Sequence, residues 1–295
     1  MPAPTRSACI DVGSNTTALL VADVSPDDLT AIDTRRHFTM LGEHLGPGGF
    51  PDEKIAEVVE AVRDLLSHAR ELGAERCELV ATQAVREAKN GPALAHAVAS
   101  EAGQPLELIS GNQEARYSFI GAVGGMHRVT ELTAVVDVGG GSSEISWCEP
   151  GGVLSTVSFA IGSARLQREY FHNDPPTADE LRAAHDHVES VLAALVMPTP
   201  RRALAVGGGA TTAKQLAGGV LDRSSVQRVQ ELIAAEPSAQ LAEHFGLHRD
   251  RARLLPAGLA ILGTLSELLG SPLEVGRGGL REGVLLDRLA QSQTA

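Results

Sequence analysis

Two stretches of the chain repeat one another, Cys9-Ile10-Asp11-Val12-Gly13-Ser14-Asn15-Thr16-Thr17 near the N-terminus and Val135-Val136-Asp137-Val138-Gly139-Gly140-Gly141-Ser142-Ser143 at mid-chain. In each, an apolar β-branched run reaches an aspartate, glycine follows, and a second strand-like run begins, the pattern of a hairpin. The two aspartates lie 126 positions apart. Glycine lets backbone N–H groups approach a ligand closely, and the hydroxyl that follows adds a donor, which is the chemistry of an anion-binding nest. The aspartate can hold a cation directly or through water. One such turn says little. Two in register point to a duplicated unit whose halves are expected to face each other across a cleft.

Outward from these turns, residues 8–12, 19–24 and 30–38 read as short strands opening a sheet. Apolar positions Ile55, Val58, Val59, Val62, Leu65 and Leu66 recur at helical spacing over 52–72, with Gly73 as the stop. A strand (78–81), a helix (91–102), a strand (106–110) and a helix (112–123) follow. The glycines and polar residues of 124–131 read as a junction between domains 1–126 and 127–295. The second round repeats the first, with strands at 133–138, 143–148 and 152–160, helices at 163–171 and 177–196, and a strand at 202–206. A mostly helical pattern then runs to the end. Strands alternating with helices predict an α/β protein. Residues 254–273 approach membrane length, but Pro256, Ser266, Glu267 and several glycines favour a buried helix.

A third glycine cluster, Gly207-Gly208-Gly209, follows the 202–206 strand and is expected to open the next helix, where a free helix N-terminus is another ligand site. Its spacing lacks the closing glycine of a dinucleotide fingerprint. Gly208, with Lys214 about one turn into the helix, is a candidate contact for the distal part of a substrate; a solvated lysine is the plainer reading.

The chain has 295 residues, a formal charge of −12, 43% hydrophobic and 21% charged residues. That excludes a disordered chain. With no Lys/Arg run longer than two, and with one Trp and two Tyr as stacking platforms, it also speaks against nucleic-acid binding. Of 25 basic residues 22 are arginine, whose planar forks suit phosphate. Cys9, Cys77 and Cys148 are too widely spaced for a metal knuckle and read as packed thiols. Residues 1–13 lack the apolar core of a signal peptide, so a cytoplasmic protein that does not engage a membrane is expected.

The two strand-end turns and the later glycine cluster resemble the phosphate-1, phosphate-2 and adenosine motifs of the acetate and sugar kinase, heat-shock chaperone and actin superfamily. Within it, DVGSNTTALLVADV, VATQAVREAKNG, ISGNQEARYSFIGAV, VVDVGGGSSEISW, AVGGGATTAKQLA, RARLLPAGLAIL and GLREGVLLDRL resemble, in order, the exopolyphosphatase and guanosine pentaphosphate phosphohydrolase family. The resemblance implies two actin-like, ribonuclease H-like domains facing an interdomain cleft. It also implies a Mg²⁺-dependent hydrolase that takes the terminal phosphate from inorganic polyphosphate or the 5′ γ-phosphate from guanosine pentaphosphate. Longer relatives add further domains after these two, so short chains are the expected substrate. A homodimer is compatible with such a family. A small-molecule kinase and a non-catalytic sensor of polyphosphate or alarmone are the competing readings.

By the same resemblance Glu114, before Ala115-Arg116, is the catalytic carboxylate, and Gln113 replaces a second frequent glutamate. Arg86 grips phosphate. Gly13, Ser14, Asn15, Thr16, Gly139, Gly140, Gly141 and Ser142 cradle the substrate. Asp137, Glu144 and Asp11 hold Mg²⁺. Plainer roles exist for each: a first-turn glutamate stabilises its own helix, and a strand-end aspartate makes an Asx-turn. Arg116 reads at least as well as a structural ion pair, and Arg277 and Arg281 are left open. Because a charge of −12 repels a polyanion at long range, binding must rest on Mg²⁺, turn amides and a few local arginines.

Overall fold

The computed structural model describes residues 4–26 and 28–294. The chain divides into two compact units, one built from residues up to Arg128 together with those from Arg277 onward, the other from Val129–Gly276.

Unit 1 opens with an antiparallel meander, β1 (Thr5–Val12), β2 (Thr17–Val24) and β3 (Leu29–His37), followed by α1 (Asp52–Glu71), β4 (Arg76–Ala81), α2 (Gln83–Glu87), α3 (Gly91–Ala102), β5 (Glu107–Leu108) and α4 (Gly111–Val123). The sheet order is β3-β2-β1-β4-β5, with β4 and β5 joining in parallel. Because side chains alternate along a strand, β1 feeds two cores. Ala8, Ile10 and Val12 pack with Val58, Val62, Leu65 and Leu94 of α1 and α3. Cys9 faces the other way, with Leu20, Val80, Ile109 and Tyr117. Asp11, two residues on from Cys9, shares that second face.

Unit 2 repeats the plan: β6 (Thr133–Val138), β7 (Ser143–Cys148), β8 (Ser155–Phe159), α5 (Ser163–Tyr170), α6 (Ala178–Leu192), β9 (Arg202–Val206), α7 (Gly207–Ala217), α8 (Arg223–Ala235), α9 (Ser238–Phe245), α10 (Arg249–Leu269) and β10 (Leu273–Val275). Its order, β8-β7-β6-β9-β10, is that of unit 1 strand for strand. The three-residue β10 and the five-residue α2 are absent from the sequence reading. Helix α10 is long and apolar enough to cross a bilayer, and 78% of its apolar window is buried. It is the central helix of this core, with Leu255, Leu259, Ile261, Leu262 and Leu265 packed inside.

The expected second domain, 127–295, is corrected at its C-terminal end. Helix α11 (Leu280–Thr294) belongs to unit 1, where Val284 and Leu285 join the core of Cys9 and Leu20. Glycine makes that docking possible. A Cβ on Gly121 of α4 would stand 2.0 Å from the Gly279 carbonyl oxygen, and one on Gly283 would stand 1.7 Å from that of Tyr117. The Arg116–Asp287 ion pair, 2.6 Å, closes the same seam and settles Arg116 as structural. The three cysteines are unpaired; burial pushes Cys77 up to about 12 and Cys9 well above the ordinary thiol range, as packed thiols require.

Two outcomes test this architecture. Gly283→Ala forces a methyl against a backbone carbonyl and should lower stability by on the order of 3 kcal/mol in urea unfolding, far more than Ala290→Ser near the end of the same helix. At the start of α6, burial raises the Glu180 carboxyl, but N–H donors of Thr177 and His172 and the Asn173 and Thr177 side chains outweigh it and hold the group at about 2. A depressed carboxyl stabilises above its unfolded pKa, and the contribution is lost as pH falls toward 2. Glu180→Gln should therefore cost about 1 kcal/mol at pH 7, after allowance for solvent screening, and the gap to the parent should close as unfolding is measured at progressively lower pH.

Candidate active site

In unit 1 the β1–β2 turn is closed by Gly13 N–H donating to the Thr16 carbonyl, 3.0 Å. Behind it, Gly42 N–H donates to the Ser14 carbonyl (2.8 Å) and Met40 N–H to that of Asn15 (3.0 Å). Tying the carbonyls back leaves the opposite side of the turn to donors. Met40 makes this contact from the left-handed region, φ 48°, a strained conformation for a side chain of its size. The Thr17 and Thr39 hydroxyls, 3.2 Å apart and buried, pin the same corner.

Arg86 stands in the last turn of α2 and Glu114 in the first turn of α4, and the structure pairs them. One guanidinium nitrogen, Nη1, donates both to the Ile109 carbonyl (2.6 Å) and to Glu114 Oε2 (3.0 Å). Glu114 is 7% exposed, so its carboxylate is set in place by the arginine rather than by water. Nε and Nη2 of Arg86 have no partner among the described residues. Gln113 is occupied elsewhere. It completes a capping box with Ser110, whose side chain accepts from Gln113 N–H while Gln113 Oε1 accepts from Ser110 N–H at 2.9 Å. An amide serves that cap as well as a carboxylate does, which accounts for glutamine at this position.

In unit 2 the equivalent turn is closed by Gly139 N–H on the Ser142 carbonyl, 2.9 Å. Its backing comes from the start of α5, where Ser163 N–H reaches the Gly139 carbonyl (2.9 Å) and Ala164 N–H that of Gly140 (2.8 Å). The approach requires Gly162, since a Cβ there would lie 2.5 Å from the Gly140 carbonyl carbon and the Gly141 nitrogen. Among the described residues the amides of Ser14, Gly140 and Gly141 donate to no protein group.

Asp137 and Glu144 are directly opposed on β6 and β7 and so share a sheet face. Glu144 is 1% exposed, and Ser158 of β8 donates to its Oε1 at 2.7 Å. Gly207, with φ +89°, opens α7 against Asp137: a Cβ there would stand 3.0 Å from Oδ1. A carboxylate pair with only oxygen donors, beside a glycine that keeps its rim clear, fits a hard divalent cation such as Mg²⁺. Asp11 occupies the matching place in unit 1, but its cross-strand partner is Ala18, so no second carboxylate stands opposite it.

Lys214 is placed differently from expectation. Helix α7 starts at Gly207 itself, which puts Lys214 in the last turn, exposed, roughly 10 Å along the axis from Gly207. The cation beside Gly208 is Arg251 from the first turn of α10, whose Nη2 would lie 3.1 Å from a Cβ at that glycine. Sequence reading did not assign Arg251, because only the packing of α10 on α7 brings it there. Arg277 uses its backbone, N–H to the Ala122 carbonyl, and Arg281 Nη1 donates to the Leu19 carbonyl at 2.9 Å.

Two sheets of identical strand order, each carrying a glycine turn closed by the same hydrogen bond, define an actin-like α/β enzyme with phosphate-type loops. Residues 20–292 match the Ppx/GppA phosphatase family, and the chain belongs to that family; it is a phosphoanhydride hydrolase. It is similar to exopolyphosphatase 2 of Mycobacterium tuberculosis, with 34% identity covering 72% of this chain and 71% of the relative. It is similar to the guanosine-5′-triphosphate,3′-diphosphate pyrophosphatase of Photobacterium profundum at 24% identity, covering 96% of this chain and 59% of that one. The crystal structure of the Aquifex aeolicus family member superposes with a TM-score of 0.83 at 28% identity, covering 99% of both chains.

Gly162→Ala tests the backing of the second turn. The methyl must displace the Gly140–Gly141 peptide, and kcat/KM should fall about 100-fold for a shift near 1 Å. Far-ultraviolet circular dichroism should remain that of the parent.

Proposed function

We propose that the protein is a Mg²⁺-dependent exopolyphosphatase that releases terminal orthophosphate from short polyphosphate chains. The observation that carries this reading is the Arg86–Glu114 pair: a buried carboxylate held by one nitrogen of a guanidinium whose other two nitrogens have no partner among the described residues. Such a pair can orient water and receive phosphoryl oxygens at adjacent points.

In the proposed reaction Glu114 orients a water molecule and accepts its proton as the water oxygen bonds to the terminal phosphorus in line with the bridging oxygen. The bridging P–O bond breaks, and the shortened chain leaves with the electron pair. Nε and Nη2 of Arg86 stabilise charge on the transferring phosphoryl group, and the Ser14 amide and hydroxyl in the same unit hold its oxygens; the Gly140 and Gly141 amides and the Ser142 hydroxyl are the corresponding phosphate donors of unit 2. Mg²⁺, for which Asp137 and Glu144 are the candidate ligands in unit 2 and Asp11 the candidate carboxylate in unit 1, would neutralise phosphate charge. The net charge of −12 supports a short substrate, since each added phosphate outside the site meets an acidic protein. Guanosine pentaphosphate is the second reading, favoured by the name of the Photobacterium relative.

A phosphate-release panel over inorganic triphosphate, longer polyphosphate, guanosine pentaphosphate and ATP, with and without Mg²⁺, tests the reading. Release should be fastest from inorganic triphosphate, and Glu114→Gln should lower kcat by about 10²–10⁴-fold. No release from any polyphosphate, or full activity in Glu114→Gln, would overturn it. Faster release from guanosine pentaphosphate would replace the first substrate by the second.

A further inference from the structure

Asparagine is among the strongest helix N-caps, because its short side chain accepts from the free N–H groups of the first turn. Asn90 stands at the N-cap of α3 and does not cap it. Its side chain turns instead to the loop between β3 and α1, residues 38–51, where Oδ1 accepts from the Phe50 N–H (2.8 Å) and Nδ2 donates to the Phe50 carbonyl (2.8 Å). One amide stands in for a strand partner. The fit is close, since Gly49, with φ +102°, lies so near that a Cβ on it would stand 1.9 Å from Asn90 Oδ1. A local cap has been exchanged for a tertiary latch.

The latch joins two rigid segments. On one side Asn90 is tied to the helix that carries Arg86: Gly91 N–H donates to the Ala88 carbonyl (2.9 Å), and a Cβ on Gly91 would stand 2.1 Å from the carbonyl oxygen of Val85, the residue before Arg86. On the other side the loop is stiff from Phe50 back to the β1–β2 turn. Gly46 and Gly49 exchange N–H donors across its tip (3.2 and 3.0 Å), and Leu41 and Phe50 are buried in the core that also holds Ala84, Val85 and Ala88. Met40 and Gly42 then hold the Asn15 and Ser14 carbonyls. Lys54, one of three lysines in the chain, fixes the start of the loop, with Nζ donating to the Thr39 carbonyl at 3.1 Å and to Glu57 Oε2 at 2.6 Å. All of these contacts lie within unit 1.

One strut therefore runs from the Ser14 turn to the Arg86–Glu114 pair. A first link between the same two ends is the sheet, where β1 and β4 are neighbours and Thr82 N–H donates to the Val12 carbonyl (3.2 Å). The sheet fixes their spacing at its edge. The loop fixes it beyond the edge, where the turn amides and the Arg86 guanidinium stand. We infer that Asn90 is a positioning residue for the reaction, setting the distance between the Ser14 turn and the Arg86–Glu114 pair without touching substrate. A misplacement near 1 Å between groups that act on one phosphoryl group costs on the order of 100-fold in rate. The effect on rate rests on the proposed function, whereas the mechanical coupling stands without it.

Amide hydrogen exchange and steady-state kinetics test the two parts on the full chain carrying Asn90→Ala or Asn90→Asp; aspartate keeps the acceptor for the Phe50 N–H and loses the donor. In Asn90→Ala the amides of Met40 and Gly42 should exchange about tenfold faster than in the parent, with that of Gly124, at the far end of α4, at the parent rate. For inorganic triphosphate with Mg²⁺, kcat should fall about 10- to 100-fold with KM held within about threefold. Asn90→Asp should lie between parent and alanine in both measurements. Gly49→Ala presses on the latch from the loop side and should reproduce the alanine pattern; it and Asn90→Asp carry the test if Asn90→Ala does not fold. Faster exchange at Phe50 alone, equally faster exchange at Met40, Gly42 and Gly124, or a parental kcat once Met40 and Gly42 are released each overturns the inference. Release of Met40 and Gly42 in a protein whose parent frees no phosphate from any substrate overturns only the hydrolytic reading.

Discussion

The contact between α4 and α11 is the constraint on which the candidate site depends. Gly121 and Gly283 allow the two helix backbones to touch, with no room for a methyl on either. Helix α4 carries Glu114 in its first turn, and α11 carries Arg281 in its own. Both helices cover the sheet face that holds Cys9 and Asp11. The depth of one glycine crossing therefore fixes where the buried carboxylate stands and how near Arg281 comes to the first turn. Widening it by one methyl would move chemistry at the far end of each helix, because helices transmit displacement along their axes rather than absorbing it.

Duplication has given the two units the same scaffold with different electrostatic tasks. The strand orders agree, and both turns are closed by a glycine N–H on the carbonyl three residues later. What differs lies in single side chains. Unit 2 sets Glu144 opposite Asp137 and steadies it with Ser158; unit 1 has Ala18 and Arg36 in those places. The backing of the turns also differs, a strained loop at Met40 in one unit and the N-terminus of α5 in the other. A common backbone thus carries a carboxylate pair with a hydroxyl in one half, and a carboxylate, a methyl and a guanidinium in the other.

Local signals in the sequence were sufficient for the hairpins, the alternation of strands and helices and the buried character of α10. Each depends on neighbours within a few residues, or on motif segments that resemble a known family. What stayed hidden is non-local. The return of α11 to unit 1 depends on glycines 162 positions apart that fit one another, and neither carries a sign of its partner. The Arg86–Glu114 bond joins two motifs that read as separate roles, a phosphate grip and a base. Lys214 was displaced by a matter of register, since the helix begins on the glycine cluster rather than after it. Arg251 looks like a surface arginine until the packing of α10 on α7 supplies its surroundings.

The C-terminal return has a consequence for how the molecule is made. Unit 2 is an insertion between two parts of unit 1, so synthesis delivers the sheet of unit 1, then the whole of unit 2, and only afterwards the helix that covers the Cys9 face. Domains tend to fold as they emerge from the ribosome, N-terminal first. Here the first unit must wait with part of an apolar sheet face, and the side of α4 that α11 will cover, still bare while about 150 further residues are translated, a delay on the order of ten seconds at typical rates. The second unit can be finished before the first. A nascent chain that stalls in that interval has its second unit complete and its first still open, a stage at which chaperone occupancy should be highest.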